Sequence, residues 1–460
     1  MKSKKNKTGY RLCLPVIVFL TGIMVYSSLC TAKAATNPVK CRVELDRNVL
    51  PAKNPQNVII KVTLDAEKPE IKTNRPRINL SIVLDRSGSM SGQKIEKAKE
   101  AAIEALRRLG GNDICSVVIY DHNIQTIVPA QSARNIEWIE SRIKTIQPGG
   151  NTALFGGVSQ GASEIRKYIG GGYVNRIILL SDGIANVGPS SPEELGRLGA
   201  ALLKEDIAVT TIGVGTDYNE DLMARLSQNS DGNTYFVESS RDLPRIFTAE
   251  LGDVLDVVAK RVKVIVECPE DVKPVRIIGR DGRIRGQNIE LSLNQLYGGQ
   301  EKYALVEVTV PEGRNGQTMD VASAEVSYIN AYTQEKGLSR GRAKATFSED
   351  MKIVEQSVNI PVQKELQLNI NALAKEKAIV LSDEGKEGDA AAVLKGVAQE
   401  TRTYAQKYND REMLKKAEAI EQEADMIEEE GMSKKQRKFL RSESYQMKNQ
   451  QSVLSKDSDE

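Results

Sequence analysis

Three oxygen-bearing side chains stand at every second position of the sequence, at Asp85, Ser87 and Ser89. Residues two apart in an extended segment point to the same side, so one carboxylate and two hydroxyls converge there. Oxygen ligands without sulfur or imidazole suit Mg²⁺, Mn²⁺ or Ca²⁺ rather than zinc or copper. The same residue types are also common where a strand turns into a capped helix. The spacing therefore indicates either a site for a hard cation or an ordinary capped turn.

The elements that must position these residues are a buried strand and an amphipathic helix. Residues 78–85 form a short apolar run rich in β-branched side chains, which is typical of a buried strand. Gly88 and Gly92 allow the backbone to bend after it. Apolar residues then recur at helical spacing over residues 94–109. The three oxygens are thus expected just beyond the carboxyl end of a strand.

Two later segments carry oxygen-bearing side chains in similar places. Thr152 follows the glycine-bearing stretch 149–151 and precedes a helical pattern, and Asp182 follows the buried strand pattern at 176–181. With these segments the sequence resembles the von Willebrand factor type A (VWA) domain family over about residues 75–258. The metal-ion-dependent adhesion site of that family joins an Asp-x-Ser-x-Ser motif, a threonine and a later aspartate. The matching residues are Asp85, Ser87, Ser89, Thr152 and Asp182.

The resemblance implies an open α/β fold with one octahedral cation at the carboxyl edge of the sheet. In the family the hydroxyls and the residue matching Asp85 bind the ion directly, and the residue matching Asp182 often binds through water. The remaining coordination position takes an acidic group of a protein partner, so the expected partner has an exposed Asp or Glu. Mg²⁺ is the first expectation for the ion, and Ca²⁺ or Mn²⁺ are the alternatives.

The hydrophobic pattern of the same segment alternates between strand and helix. Such alternation predicts a mostly parallel sheet with helices on both faces, in which ligands bind outside the carboxyl ends of the strands. Asp85 and Asp182 both lie at such ends. The predicted strands are 78–85, 114–121, 124–128, 174–181, 207–214 and 234–237. The predicted helices are 94–109, 134–146, 153–168, 193–204, 219–228 and 243–258.

Strand patterns of period two flank this segment on both sides. Residues 40–65 contain two alternating runs, and alternation returns after residue 258 at 262–267, 303–310 and 321–332. We expect the N-terminal strands, within 35–74, to complete a β-sandwich formed by 259–350. The VWA domain, 75–258, would then be an insertion in that sandwich. This layout is similar to that of inter-α-trypsin inhibitor heavy chains and bacterial surface VWA proteins.

The C-terminal region, 351–451, is predicted to be helical. It is rich in Ala, Glu, Lys, Leu and Gln, has no proline after Pro361, and repeats apolar residues at three and four positions. Gly385, Gly388 and Gly431 are expected to divide it into three or four helices. These helices form either a bundle packed on the sandwich or an arm for oligomerisation or docking. The last residues, 452–460, are charged and expected to be disordered.

The N-terminal segment has the composition of a secretory signal peptide. Residues 1–34 contain six basic and no acidic side chains, with a nearly continuous apolar run at 12–29. Ala32 and Ala34 fit the small-residue cleavage pattern, which predicts cleavage after Ala34. The alternative is an uncleaved membrane anchor, because 12–32 is long enough to span a bilayer. Both alternatives place the rest of the chain outside the cytoplasmic membrane, either secreted or at the cell surface.

The remaining body is slightly acidic. Removing those six basic residues from the 64 of the whole chain leaves 58, against 62 acidic residues. A net charge of this sign argues against a nucleic-acid partner.

Three cysteines remain after the predicted cleavage. Cys115 lies within an apolar strand pattern and is expected to be a buried structural thiol. Cys41 and Cys268 lie in strand-like segments on either side of the VWA segment, and an oxidising compartment would permit a disulfide between them.

Catalytic motifs are poorly represented. His122 is the only histidine of the sequence, and it lies in a predicted turn between two strands. That excludes a two-histidine zinc site and leaves one candidate base for a nucleophilic triad. We therefore expect a binding protein without catalytic activity. The alternative is a structural or assembly factor that associates with itself through its C-terminal helices, with the metal in a purely structural role.

Overall fold

Three β-strands begin the part of the chain that the computed structural model describes, which is residues 37–68 and 75–451. They are β1 (Val39–Leu45), β2 (Val49–Pro51) and β3 (Gln56–Ala66). β1 and β3 pair antiparallel, from Val39 opposite Ala66 to Leu45 opposite Ile60. The expected signal peptide with its cleavage site after Ala34, and the tail at 452–460, lie outside the described residues.

Strands and helices then alternate, as the pattern predicts. The strands are β4 (Ile78–Asp85), β5 (Ile114–Tyr120), β6 (Ile124–Ser132), β7 (Val174–Ser181), β8 (Ile207–Val214) and β9 (Thr234–Val237). The helices are α1 (Gln93–Arg107), α2 (Ile136–Lys144), α3 (Leu154–Arg166), α4 (Pro192–Lys204), α5 (Glu220–Ser230) and α6 (Leu243–Leu255).

These strands form one six-stranded sheet in the order β6-β5-β4-β7-β8-β9, in which only β6 is antiparallel to its neighbour. Every residue of β4, β7 and β8 is buried, because helices cover both faces of the sheet. The face that includes Ile82 packs against α1, α2 and α6, and the opposite face, which includes Val83, packs against α3, α4 and α5. The predicted α/β fold is confirmed.

Two further sheets pack face to face around a second apolar core. Their remaining strands are β10 (Val257–Glu267), β11 (Lys273–Ile278), β12 (Arg283–Arg285), β13 (Asn288–Tyr297), β14 (Glu301–Val310), β15 (Thr318–Asn330) and β16 (Lys336–Ser348). One sheet has the order β1-β3-β14-β11 and the other the order β12-β13-β10-β15-β16-β2. The strands before the α/β sheet therefore pair with strands that follow it.

The helix predicted at 243–258 is wrong in its last turn. α6 ends at Leu255, and Val257 already pairs with Tyr297 of β13. Val258 continues the strand, and its carbonyl accepts a hydrogen bond from Ala331 N–H. The two β-branched residues fit the strand, which their apolar spacing alone did not reveal.

The C-terminal region contains one short helix and four long ones. They are α7 (Met351–Gln356), α8 (Ile360–Asp383), α9 (Glu387–Tyr408), α10 (Arg411–Glu430) and α11 (Lys434–Lys448). Gly385 and Gly431 lie between helices as expected, but Gly388 lies inside the first turn of α9. The break between α9 and α10 is made by Asn409, which has a left-handed backbone with φ 53°.

The four long helices have an apolar core of their own and contact both other parts of the molecule. Val362 of α8 packs on Ile59, Tyr303 and Leu305, which lie on the side of β3 and β14 away from the sandwich core. α11 lies against α5 and β9 of the α/β unit. None of the helices in residues 37–68 and 75–451 has the length and hydropathy needed to cross a membrane.

Candidate metal centre

The candidate site lies where the strand order of the α/β sheet reverses. β4 is followed along the chain by β5 on one side, while its other neighbour is β7, which comes later. Ligands in open α/β sheets bind at this type of position, because the loops after the two central strands diverge and leave a crevice. Asp85 is the last residue of β4, and Asp182 follows the last residue of β7.

Two backbone hydrogen bonds tie the turn after β4 to the loop before α3. Gly88 N–H donates to Gly150 O over 3.1 Å, and Gly149 N–H donates to Arg86 O over 2.7 Å. This pairing brings the loop that carries Thr152 to the same edge as Asp85, although the two residues are far apart in sequence.

The three hydroxyls of the predicted set surround one point beside Gly183. A Cβ atom added to Gly183 would lie 3.3 Å from both Ser89 Oγ and Thr152 Oγ1, and 3.8 Å from Ser87 Oγ. Ser87 Oγ and Ser89 Oγ are themselves 3.1 Å apart. The lack of a side chain at Gly183 leaves the space that these oxygens face.

The two carboxylates are held by neighbouring groups. Asp85 Oδ1 accepts from Ser87 N–H over 2.8 Å, and Asp85 Oδ2 accepts from Ser181 Oγ over 2.7 Å. Asp182 Oδ1 accepts from Ser89 Oγ over 2.6 Å. The structure thus brings all five predicted residues to one edge of the sheet.

Burial disfavours the negative charges of the two carboxylates in this cluster. Asp85 and Asp182 are both fully buried. Burial raises the pKa of Asp85 to about 6, hydrogen bonds from Ser181 and Ser87 oppose the rise, and the negative charge of Asp182 adds to it. Two buried carboxylates beside three neutral hydroxyl oxygens match the preference of a hard divalent cation.

A cation here would depend on the hydroxyl oxygens. Among residues 37–68 and 75–451, no group of three His, Cys, Asp or Glu side chains is arranged to bind a metal. The donor set fits Mg²⁺, Mn²⁺ or Ca²⁺, and it fits zinc or copper poorly.

Three further side chains contact the cluster and were not predicted from the sequence. Lys94, in the first turn of α1, places its Nζ 2.5 Å from Asp182 Oδ2. Asn186 Oδ1 accepts from Thr152 N–H over 2.8 Å and so holds the threonine, and Ser181 is the donor to Asp85 described above. Ser181 directly precedes Asp182, but nothing in the sequence distinguishes Lys94 or Asn186 from other polar residues nearby.

The outer rim of the site is exposed. Ile184, two residues after Asp182, is 62% exposed, the highest value for a large apolar side chain in the described residues. His122 occupies the turn between β5 and β6, as expected, with its Nδ1 3.5 Å from Asp121 Oδ1. Asp121 also pairs with Arg86 over 2.7 Å.

The three cysteines within the described residues, Cys41, Cys115 and Cys268, are not among the residues of this site. Cys115 is buried in β5. Cys41 and Cys268, the pair considered for a disulfide, are both free thiols in the structure. Burial raises the pKa of each of these two to about 11, which disfavours the reactive thiolate.

The sequence of the α/β unit matches a known family model. Residues 79–249 match the model of the von Willebrand factor type A domain.

The matches to proteins related in sequence cover only part of each relative's length. The uncharacterized protein sll0103 of Synechocystis sp. is 26% identical over 273 residues, which are 57% of this chain and 64% of that protein. The uncharacterized protein YfbK of Escherichia coli is 27% identical over 50% of this chain and 40% of its own. Human inter-alpha-trypsin inhibitor heavy chain H3 is 26% identical over 36% of this chain and 20% of its own. The match thus spans less than two thirds of each of these relatives.

Solved structures share the fold over most of the chain. A von Willebrand factor type A protein from Catenulispora acidiphila has a TM-score of 0.67 at 16% identity, and the match covers 84% of this chain and 90% of that one. The ArnB paralog VWA2 from Sulfolobus acidocaldarius has a TM-score of 0.63 at 17% identity, with 91% and 100% covered. At these identities the likeness concerns the fold alone.

Proposed function

We propose that the von Willebrand factor type A domain of this chain, at residues 79–249, binds an acidic side chain of a protein partner through one divalent cation. The observation that carries the proposal is the cluster of two buried carboxylates and three hydroxyls at the edge of the sheet. The proposed ligands, direct or through water, are Asp85, Ser87, Ser89, Thr152 and Asp182.

The donor set accounts for the partner's chemistry. A divalent ion held by few charged and several neutral oxygens stays electrophilic on its open side, where a carboxylate from another protein can bind. Hydrogen bonds from Ser181 and from the backbone of Ser87 hold the Asp85 carboxylate in place at the edge of the sheet. Mg²⁺ is the first choice, and Ca²⁺ and Mn²⁺ remain alternatives.

The exposed rim supports binding to a protein. A partner that buries a large exposed apolar side chain gains free energy from removing it from water. Ile184 is such a side chain, and it is only two residues from Asp182. A partner that presents Asp or Glu next to an apolar residue would fill both positions.

We place this function outside the cytoplasmic membrane, because residues 1–34 have the composition of a secretory signal peptide. An enzymatic role is not proposed. His122, the one histidine, lies in an exposed turn beside Asn123 and Asp121.

The test is a calorimetric titration of Mg²⁺, Ca²⁺ and Mn²⁺ into the wild-type protein and Asp85→Ala. We expect one binding site in the wild type and none in Asp85→Ala. Asp320→Ala, an exposed aspartate of the sandwich, is the matched control and should bind like the wild type. Thr152→Ala should weaken binding by about tenfold and guards against misfolding of Asp85→Ala. Equal binding by Asp85→Ala would refute the proposal.

Self-association through the C-terminal helices is a second candidate, favoured by apolar side chains exposed on the bundle. Val380 on α8 and Phe439 on α11 are both 51% exposed. Removing the whole bundle is a poor test, because α8 covers Ile59 and Leu305. Light scattering of Phe439→Ser is the better measurement: an oligomer that dissociates in this variant supports the candidate, and a monomeric wild type excludes it.

A further inference from the structure

Lys94 is a positive charge at the candidate metal centre. Its Nζ lies 2.5 Å from Asp182 Oδ2, while Asp182 Oδ1 accepts from Ser89 Oγ over 2.6 Å. Asp182 is fully buried, whereas the side chain of Lys94 is 34% exposed. The ammonium group can therefore move toward solvent, but the carboxylate cannot follow it.

We propose that Lys94 competes with the divalent cation for Asp182, so that the site holds its ion tightly only together with an anionic partner. This inference rests on the proposed function and adds a regulatory and specificity-determining residue to it. Lys94 is a positioning residue here, because it acts on the ion through Asp182 and not as a ligand.

The charges of the site give the reason. A divalent ion and Lys94 contribute three positive charges, and Asp85 and Asp182 contribute two negative ones. The nearby Arg86 is paired with Asp121 and leaves this balance unchanged. The occupied site therefore carries one excess positive charge, which a single carboxylate from the partner neutralises. Without Lys94 the occupied site would be neutral, and an anion would strengthen ion binding less.

The size of the effect follows from Coulomb's law. A divalent ion and an ammonium on the same carboxylate repel each other by an amount that corresponds to roughly tenfold in ion affinity, even with the screening of water. An anion that binds beside the ion relieves this repulsion. By linkage, the anion must then tighten ion binding by the same factor by which the ion tightens anion binding.

The experiment compares Lys94→Met, Lys94→Arg and Lys97→Met in the full chain. Methionine keeps much of the length of lysine without its charge, and arginine keeps the charge. Lys97 lies one turn further along α1, paired with Glu100, and controls for a change of charge on the same helix. Mn²⁺ is titrated by calorimetry with and without acetate as the probe anion, and thermal unfolding checks that each variant is folded.

Lys94→Met should bind Mn²⁺ about tenfold more tightly than the wild type, and acetate should strengthen its binding less. Lys94→Arg and Lys97→Met should resemble the wild type in both respects. Equal or weaker binding by a folded Lys94→Met, with normal binding by the wild type, would overturn this inference and leave the metal site intact. Failure of the wild type to bind any ion would refute the proposed function and this inference with it.

Discussion

Ser181 is a hydroxyl that opposes the effect of burial on a carboxylate of the candidate site. It donates a 2.7 Å hydrogen bond to Asp85 Oδ2, and this bond favours the ionised form that burial disfavours. Ser181 lies in β7 and Asp85 in β4, so the bond also joins the two central strands at the site.

Replacing Ser181 by alanine should therefore weaken both the fold and the proposed ion binding. A hydrogen bond to a charged group contributes about 1.5–3 kcal/mol, so we expect Ser181→Ala to lose about 2 kcal/mol of unfolding free energy and several-fold in Mg²⁺ affinity. Urea unfolding and calorimetry measure the two effects. Ser163→Ala removes an exposed hydroxyl on α3 and should leave both unchanged.

Gly183 offers a second test at the scale of one residue. An added methyl group would lie 3.3 Å from Ser89 Oγ and Thr152 Oγ1, within the space that the proposed ligands surround. We expect Gly183→Ala to reduce Mg²⁺ affinity by at least about tenfold, because displaced oxygens no longer reach one ion. Gly149→Ala is the matched control, since a Cβ there meets nothing within 4 Å. Normal affinity in Gly183→Ala would mean that the ion is not bound between these hydroxyls.

Ile184 should contribute to binding of the partner and not to binding of the ion. Burying such a side chain in an interface is favourable by about 1.5–3 kcal/mol, so Ile184→Ser should weaken partner binding by about tenfold. Its Mg²⁺ titration should match the wild type. The partners used are proteins that the immobilised wild-type chain retains and that the immobilised Asp85→Ala chain does not. Their binding to each variant is then measured. Ile265→Ser, on the sandwich, controls for the loss of an exposed apolar residue, and an equal loss in it would show that Ile184 has no special role.

At the scale of elements, α11 is fastened to the α/β unit by charges at the start of α5. Arg437 pairs with Glu220 and, over 2.6 Å, with Asp221, and Arg441 pairs with Asp221 over 2.7 Å. Lys438 also contacts Glu220 and is buried. At the other end of α11, Tyr445 OH donates to Gly232 O over 2.7 Å. Contacts near both ends of α11 thus hold this helix against the α/β unit.

The pairing of Asp221 predicts a pH dependence. Burial works to raise the pKa of Asp221, but Arg441 and Arg437 outweigh it, and the pKa is lowered from its ordinary 3.8. A lowered pKa stabilises the fold above the ordinary value, and this contribution is lost as the pH falls through the folded value. Near neutral pH the free energy of unfolding of the wild type should exceed that of Asp221→Asn by about 1 kcal/mol, after allowance for the partial exposure of Asp221.

Urea unfolding at several pH values measures this difference, which should shrink as the pH falls below 3.8. Asp217→Asn is the control: Asp217 is 72% exposed and 3.9 Å from Lys434, and its loss should have little effect. A difference between the wild type and Asp221→Asn that is independent of pH would contradict the role assigned to these ion pairs.

At the scale of the whole molecule, a buried polar network joins the α/β unit to the sandwich. Arg176 of β7 is fully buried and donates to Gln295 Oε1 over 2.7 Å and to Tyr297 OH over 2.5 Å, both on β13. It also lies 3.3 Å from the buried carboxylate of Glu250 on α6. Glu250 in turn accepts from Thr210 Oγ1 over 2.5 Å. The two units are therefore expected to unfold together.

Removing one partner of the buried pair in this network should lower the free energy of unfolding substantially. Arg176→Met leaves Glu250 buried without its cation, and a broken buried pair costs about 3–5 kcal/mol. The double variant Arg176→Met with Glu250→Gln should lose less than Arg176→Met alone, because the unpaired charge is gone. Urea unfolding followed by two probes measures both losses. A double variant less stable than Arg176→Met would show that the ion pair does not carry this stability.

The α/β unit can be predicted from the sequence because its signals are local. A buried strand such as 78–85 and the helical spacing after it are visible within a few residues, and their alternation restricts the sheet to a mostly parallel one. The five candidate ligands were found by spacing and by resemblance to a family. That they bind a metal remains a prediction.

Which groups surround those ligands depends on contacts between residues far apart in the sequence. Lys94 and Asp182 are 88 residues apart, Ser181 and Asp85 are 96 apart, and Arg176 and Gln295 are 119 apart. Pairing at such separations depends on sheet order and on how the two units pack, which no local pattern contains. Lys94 resembles every other lysine of α1 in the sequence, and its position beside a buried carboxylate appears only when β4 and β7 become neighbours.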